Sequence, residues 1–108
     1  MRRFLDSDLL NEACEKVENL DIYNNPAARH VFCATTIDYA RHELKKRGLD
    51  LLQIFTYDAV SNYCALWLKR FPNIETDNAL IGLSYAIEYE AVDAVKNTSG
   101  NAIKAPSN

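Results

Sequence analysis

His30 and Cys33 stand three residues apart, Asp38 and His42 four apart, and Lys45, Lys46 and Arg47 follow in an unbroken run. On a helix the first two spacings put each pair on one face. Metal ligation, acid–base catalysis and phosphate binding are the chemistries these residue types could support. Histidine and cysteine are zinc ligands, but zinc takes three or four protein donors. His42, Cys14 and Cys64 have no spacing that completes such a set, so no metal and no cofactor is expected. A carboxylate four residues from a histidine can orient the imidazole, yet catalysis also needs a reacting group and a pocket. The chain holds no Gly-rich phosphate loop, nucleophile elbow or HExxH. The expectation is a protein that is not an enzyme.

Arg41, Lys45, Lys46 and Arg47 are the candidates for a phosphate or protein contact. Three of them precede Gly48, where cations complement the negative end of a helix dipole. Glu43, four residues before Arg47, can pair part of that charge. A nucleic-acid surface spreads its cations along a face and adds aromatic or amide readers. The helix-end reading is therefore preferred.

Aromatic content points elsewhere. The chain has six Tyr and one Trp, and Tyr85 and Tyr89 lie four apart among Glu88, Glu90 and Asp93. Tyrosines bordered by acids make a binding face, because rings supply rigid contact area and carboxylates supply orientation. Tyr85, Glu88, Tyr89 and Asp93 are the candidate partner-binding residues. The competing reading is that the two rings only rim a core with their hydroxyls in water.

Helices must position all of these groups. Three Gly and three Pro in 108 residues are too few for the many turns of a strand-rich domain. Asp6 or Ser7 can cap a first helix over 7–20, with Leu10, Cys14 and Val17 on its apolar side. Asn25-Pro26 opens a second, expected to run to Arg47 and stop at Gly48. Asp50 can cap a short helix through Phe55, although "LLQIF" also fits a strand. Thr56 caps a helix to Phe71, ended by Pro72 and apolar on nearly every side. Such a helix is either central in its domain or covered by a partner. Thr76 or Asp77 caps a last helix ending near Lys96.

These signals predict an all-α fold: a single small bundle of four main helices, or five with the short one. The helical domain spans 1–97, and the aperiodic residues 98–108 read as a mobile C-terminal tail. Leu10, Val17, Ile37, Leu44, Val60, Cys64, Trp67, Leu83 and Ile87 are the expected core.

The net charge is −3, distributed unevenly. Residues 1–28 carry three positive and six negative charges, 29–70 seven and four, and 71–108 two and five. An acidic whole disfavours general attraction to phosphate backbones, while the basic middle keeps a local patch. Three separated cysteines without a CxxC pair and no export signal suggest free thiols in a cytoplasmic protein. No apolar run reaches the length of a membrane span. The expected function is binding of another protein, in an inhibitor, immunity, phage-type host-takeover or adaptor role. One alternative is a helix-turn-helix-like DNA-binding regulator built on residues 50–55 and the helix after Thr56. A second is a homo-oligomeric structural protein that buries its all-round apolar helix across a homodimer.

Overall fold

Asn25 starts the longest internal helix, α2 (Pro26–Lys45), from an extended backbone at φ −115° and ψ 110°. Its side-chain oxygen accepts from the N–H groups of Ala27 and Ala28 at 3.0 and 3.4 Å. Pro26 fits the first helical position because an N–H there would have no intrahelical partner. At the other end Gly48 sits at φ 76°, a region that a side chain strains. Its N–H reaches the Lys45 carbonyl, and the Leu49 N–H reaches that of Leu44, both at 3.0 Å. These paired bonds form a Schellman stop. The helix thus ends at Lys45, short of the expected Arg47, and Lys46 and Arg47 lie in the closing turn.

A computed structural model describes the backbone of residues 8–104 and the side chains of residues 8–97. Its other helices are α1 (Asp8–Val17), α3 (Leu51–Ile54), α4 (Tyr57–Arg70) and α5 (Thr76–Lys104). The fold is all-α, with no strand among the described residues. The expected caps Asp6 and Ser7 lie outside them. α1 stops before Leu20 because Asn19 turns to φ 70°, which asparagine tolerates better than most residues. Asp50 caps α3 through a 3.0 Å bond from the Leu52 N–H, which decides "LLQIF" as helix. Thr56 caps α4, accepting from the Ala59 N–H at 3.1 Å.

Two expectations about α5 change. Thr76 opens the helix, but its hydroxyl donates to the Leu20 carbonyl at 2.9 Å, tying α5 to the loop after α1 instead of capping its own turn. The helical backbone also continues to Lys104, through residues 98–104 that the aperiodic sequence assigns to the tail. A helix already nucleated by packing extends one bond per residue, so weak formers at its end can follow. Residues 105–108 lie outside the described residues.

α2 and α5 form the central pair, and each packs against all the other helices. Leu10, Val17, Ile37, Leu44, Val60, Cys64, Leu83 and Ile87 are buried, joined by Phe32, Tyr39, Ile22, Leu51 and Leu80. Trp67 is the exception to the expected core, being only partly buried against it. α4 is not central. It packs chiefly on α2 and α5 and buries one narrow line, Val60, Cys64 and Leu68. Tyr63 and Trp67 are half-buried at the edge of the core, while Tyr57 and Leu66 are exposed.

Candidate functional site

A spacing of four between Val60, Cys64 and Leu68 gives α4 a single inward seam, so Tyr63, Leu66 and Trp67 fall beside or opposite it. Leu66 is 60% exposed and Phe71, just past the helix, 37%. The Trp67 and Phe71 rings pack tilted with centroids 4.6 Å apart, an attractive aromatic arrangement. The Arg70 guanidinium lies over the Phe71 ring, 5.7 Å from its centroid. Trp67 rests on Gly82 of α5, where an added Cβ would stand 3.2 and 3.3 Å from two ring carbons. The Tyr23 hydroxyl donates to the Phe71 carbonyl at 2.6 Å and fixes the end of this strip.

Two grooves flank it. One, of about 400 Å³, is lined by Tyr63, Leu66, Trp67, Lys69 and Arg70. The other, of about 450 Å³, lies between α4 and the α1–α2 loop, with Ile22, Tyr23, Arg29, Leu68 and Lys69 on its walls. There Arg29 is already engaged, donating to the carbonyls of Ile22 and Tyr23 at 3.0 and 3.3 Å. A smaller apolar cleft of about 210 Å³ separates the Phe55–Tyr63 stretch from Ile87 and Glu90. The Tyr63 phenol is held above its ordinary range by burial, with the Glu90 carboxylate adding to the effect.

The structure divides the residues expected to bind a partner. Tyr85 is 47% and Tyr89 73% exposed on the outer side of α5. Asp93 is exposed as well and accepts from the Asn97 amide at 3.2 Å. Glu88 turns the other way. It is buried, and its Oε1 accepts from Arg47 at 3.0 Å. Burial raises the Glu88 carboxyl above its ordinary range, and the Arg47 charge only partly opposes that. Among the described residues its other oxygen has no hydrogen-bond partner, and neither has the buried hydroxyl of Ser84 one turn earlier.

The basic run is likewise divided. Glu43 pairs with Lys46 at 2.8 Å and not with Arg47 as expected. Arg47 lies in the turn after α2, so helical i,i+4 geometry does not reach it. Arg41, His42 and Lys45 border a groove of about 450 Å³ between α1 and α2, together with Lys16 and the acids Glu12 and Asp38. Two of the four candidate cations are thus in ion pairs, and the other two share a wall with carboxylates. Asp38 and His42 do line one groove, with Thr35 and Tyr39 beside them.

His30 and Cys33 do not converge: His30 is exposed and Cys33 buried. Cys33 and Cys64 are free, buried thiols on two helices that pack together, α2 and α4, and each affects the other's proton affinity. The Cys33 side chain and then burial hold the Cys64 thiol well above the usual range, and the Cys64 side chain lowers Cys33. Among the described residues no group of three or more His, Cys, Asp or Glu side chains is placed to hold a metal. No helix among them is long and apolar enough to cross a membrane. For the helix-turn-helix alternative, α3 is a single turn and the cations of α4 sit at its far end.

Compared with protein-family models, with curated proteins and with solved structures, the chain matches none. Tyr85 and Tyr89 are exposed; sequence reasoning leaves α4 either central or covered by a partner, but does not separate exposed Leu66 and Phe71 and half-buried Trp67 from the buried line. The signal is present: three buried positions at a spacing of four leave the intervening apolar residues outside.

Proposed function

We propose that the protein acts by binding another protein through an aromatic surface formed by α4 and the outer side of α5. One observation carries this reading. Six large apolar side chains are exposed among the described residues, and five of them, Tyr57, Leu66, Phe71, Tyr85 and Tyr89, belong to α4, its end and α5. Single exposed apolar residues are ordinary, whereas a concentration on two adjacent helices marks an interaction surface. Tyrosine and tryptophan are also the residues that most often dominate interfaces.

The test uses the intact chain as bait for partners in its source cell, beside Leu66→Glu and Tyr89→Ala. A specific partner retained by the wild type should be lost with Leu66→Glu and weakened about tenfold or more with Tyr89→Ala. Both variants should melt like the wild type, since both side chains already face water. A specific partner held equally by all three proteins would show that this surface is not the binding site.

A further inference from the structure

The chemistry of the partner can be read from the charges around Leu66, on the basis of the docking reading above. Among the described residues the charged side chains on the walls of the two flanking grooves are Arg29, Lys69 and Arg70, and no carboxylate lines either groove. This is not the average of the molecule, whose net charge is −3. Nor are the two α4 cations used internally. Lys46 and Arg47, at the end of α2, are each held by a glutamate. Lys69 and Arg70, at the end of α4, make no ion pair among the described residues; Arg70 lies over the Phe71 ring, and its charge also acts on the Tyr63 phenol. A helix dipole favours cations in its last turn, which accounts for their presence but leaves their charge unopposed. On the same strip the nearest acid of α4 is Asp58, eight residues before Leu66, or about 12 Å along the axis at 1.5 Å per residue. Glu90 of α5 lies on the other side of Tyr63, in the cleft with Phe55 and Ile87 and not on the wall of either flanking groove.

We infer that this surface takes an acidic amphipathic segment of the partner. The segment's apolar side chains cover Leu66, Trp67 and Phe71, and its carboxylates reach Lys69 and Arg70. Apolar contact supplies the affinity, and the unopposed cations select the sign of the polar face and speed association.

Trp67 is the only tryptophan in the chain, so its emission reports on this surface alone. The intact protein would be titrated with two synthetic amphipathic peptides that lack tryptophan and share leucine and phenylalanine positions. One carries Glu and the other Lys at every polar position, and a scrambled Glu peptide serves as control. The Glu peptide should change Trp67 emission saturably and weaken as salt is raised. Binding should fall about tenfold or more in Lys69→Glu/Arg70→Glu and be lost in Leu66→Glu. The Lys peptide should prefer the charge-reversed variant.

Equal binding of the Glu and Lys peptides, lost in Leu66→Glu, would overturn the acidic assignment while leaving the docking surface in place. Equal binding of the scrambled peptide would reduce the effect to general attraction and overturn the inference. Absence of any saturable change would do the same, with the capture experiment deciding the docking reading separately. Sedimentation of the free chain as a dimer that Leu66→Glu dissociates would assign the surface to a second copy instead.

Discussion

Arg47→Met and Glu88→Gln should have unequal effects, although the two side chains make one ion pair. Glu88 is 6% exposed at its side chain and Arg47 53%, so only the carboxylate has been taken out of water. Two unit charges about 4 Å apart attract by about 4 kcal/mol at an effective dielectric of about 20. Arg47 keeps much of its hydration, and we discount that figure by half, to about 2 kcal/mol. Arg47→Met keeps the stem and removes the charge, leaving Glu88 buried without its counter-ion; the expected loss is about 2 kcal/mol. Glu88→Gln keeps an oxygen to accept from Arg47 and strands no buried charge, so its cost should stay below about 1 kcal/mol.

The pH dependence follows from the raised Glu88 carboxyl, whose ordinary value is 4.5. Above that value the unfolded chain loses its proton before the folded one does. Within this window the folded state binds more protons, and stability falls as pH rises until the folded carboxyl also ionises. The Glu88→Gln variant has no such step, because an amide does not titrate. The stability of the wild type relative to Glu88→Gln should therefore decline from about pH 4 toward neutrality, and Arg47→Met should decline more steeply. Urea unfolding followed by helical circular dichroism at a series of pH values measures all three proteins. Equal losses for the two variants, or a difference that ignores pH, would show that Glu88 is not held as a buried carboxylate.

Other expected outcomes come from single features of the fold. Gly48→Ala should lower stability by about 1–2 kcal/mol through strain at its left-handed φ of 76°, since no atom lies within 4 Å of the added Cβ; an unchanged melt would mean the Schellman stop rearranges freely. Ser84→Ala should raise stability by about 1 kcal/mol, because the hydroxyl is fully buried and has no partner; a loss in the same denaturation assay would reveal a bond at that position. Lys45→Gln/Lys46→Gln should cost at most about 1 kcal/mol and leave partner capture intact. Lost capture by the folded double variant would place the working surface at the end of α2.

The fold is legible where local chemistry fixes an element. Asn25-Pro26, Gly48, Asp50 and Thr56 each act within a few residues, and each holds its place in the structure. The inward seam of α2 is harder to read. Spacing groups His30 with Cys33 and Ile37, but His30 is exposed, while Phe32 and Tyr39 are buried. Neighbours on several sides of α2 widen its covered arc beyond a single stripe. Glu88 is misplaced by its sequence for a related reason. A position beside two exposed tyrosines says nothing of Arg47, which is 41 residues away and reaches it only after α2 has ended. Long-range pairing of this kind has no periodic signature.

The exposed strip differs from an unfinished core in how its rings are held. Glycine inside a helix costs about 1 kcal/mol relative to alanine, and α5 accepts one at Gly82, under the Trp67 ring. A methyl group there would displace the ring by a few tenths of an ångström. On its other side Trp67 packs against Phe71, whose carbonyl is anchored by the Tyr23 hydroxyl, and Arg70 covers the Phe71 ring. These contacts favour one arrangement of the half-buried Trp67 and the exposed Phe71 ring. Side chains ordered in advance lose little conformational entropy when a partner docks. Under the docking reading proposed above, such bracing would favour affinity. The apolar outward face of α4 and the glycine beneath it are two parts of one arrangement.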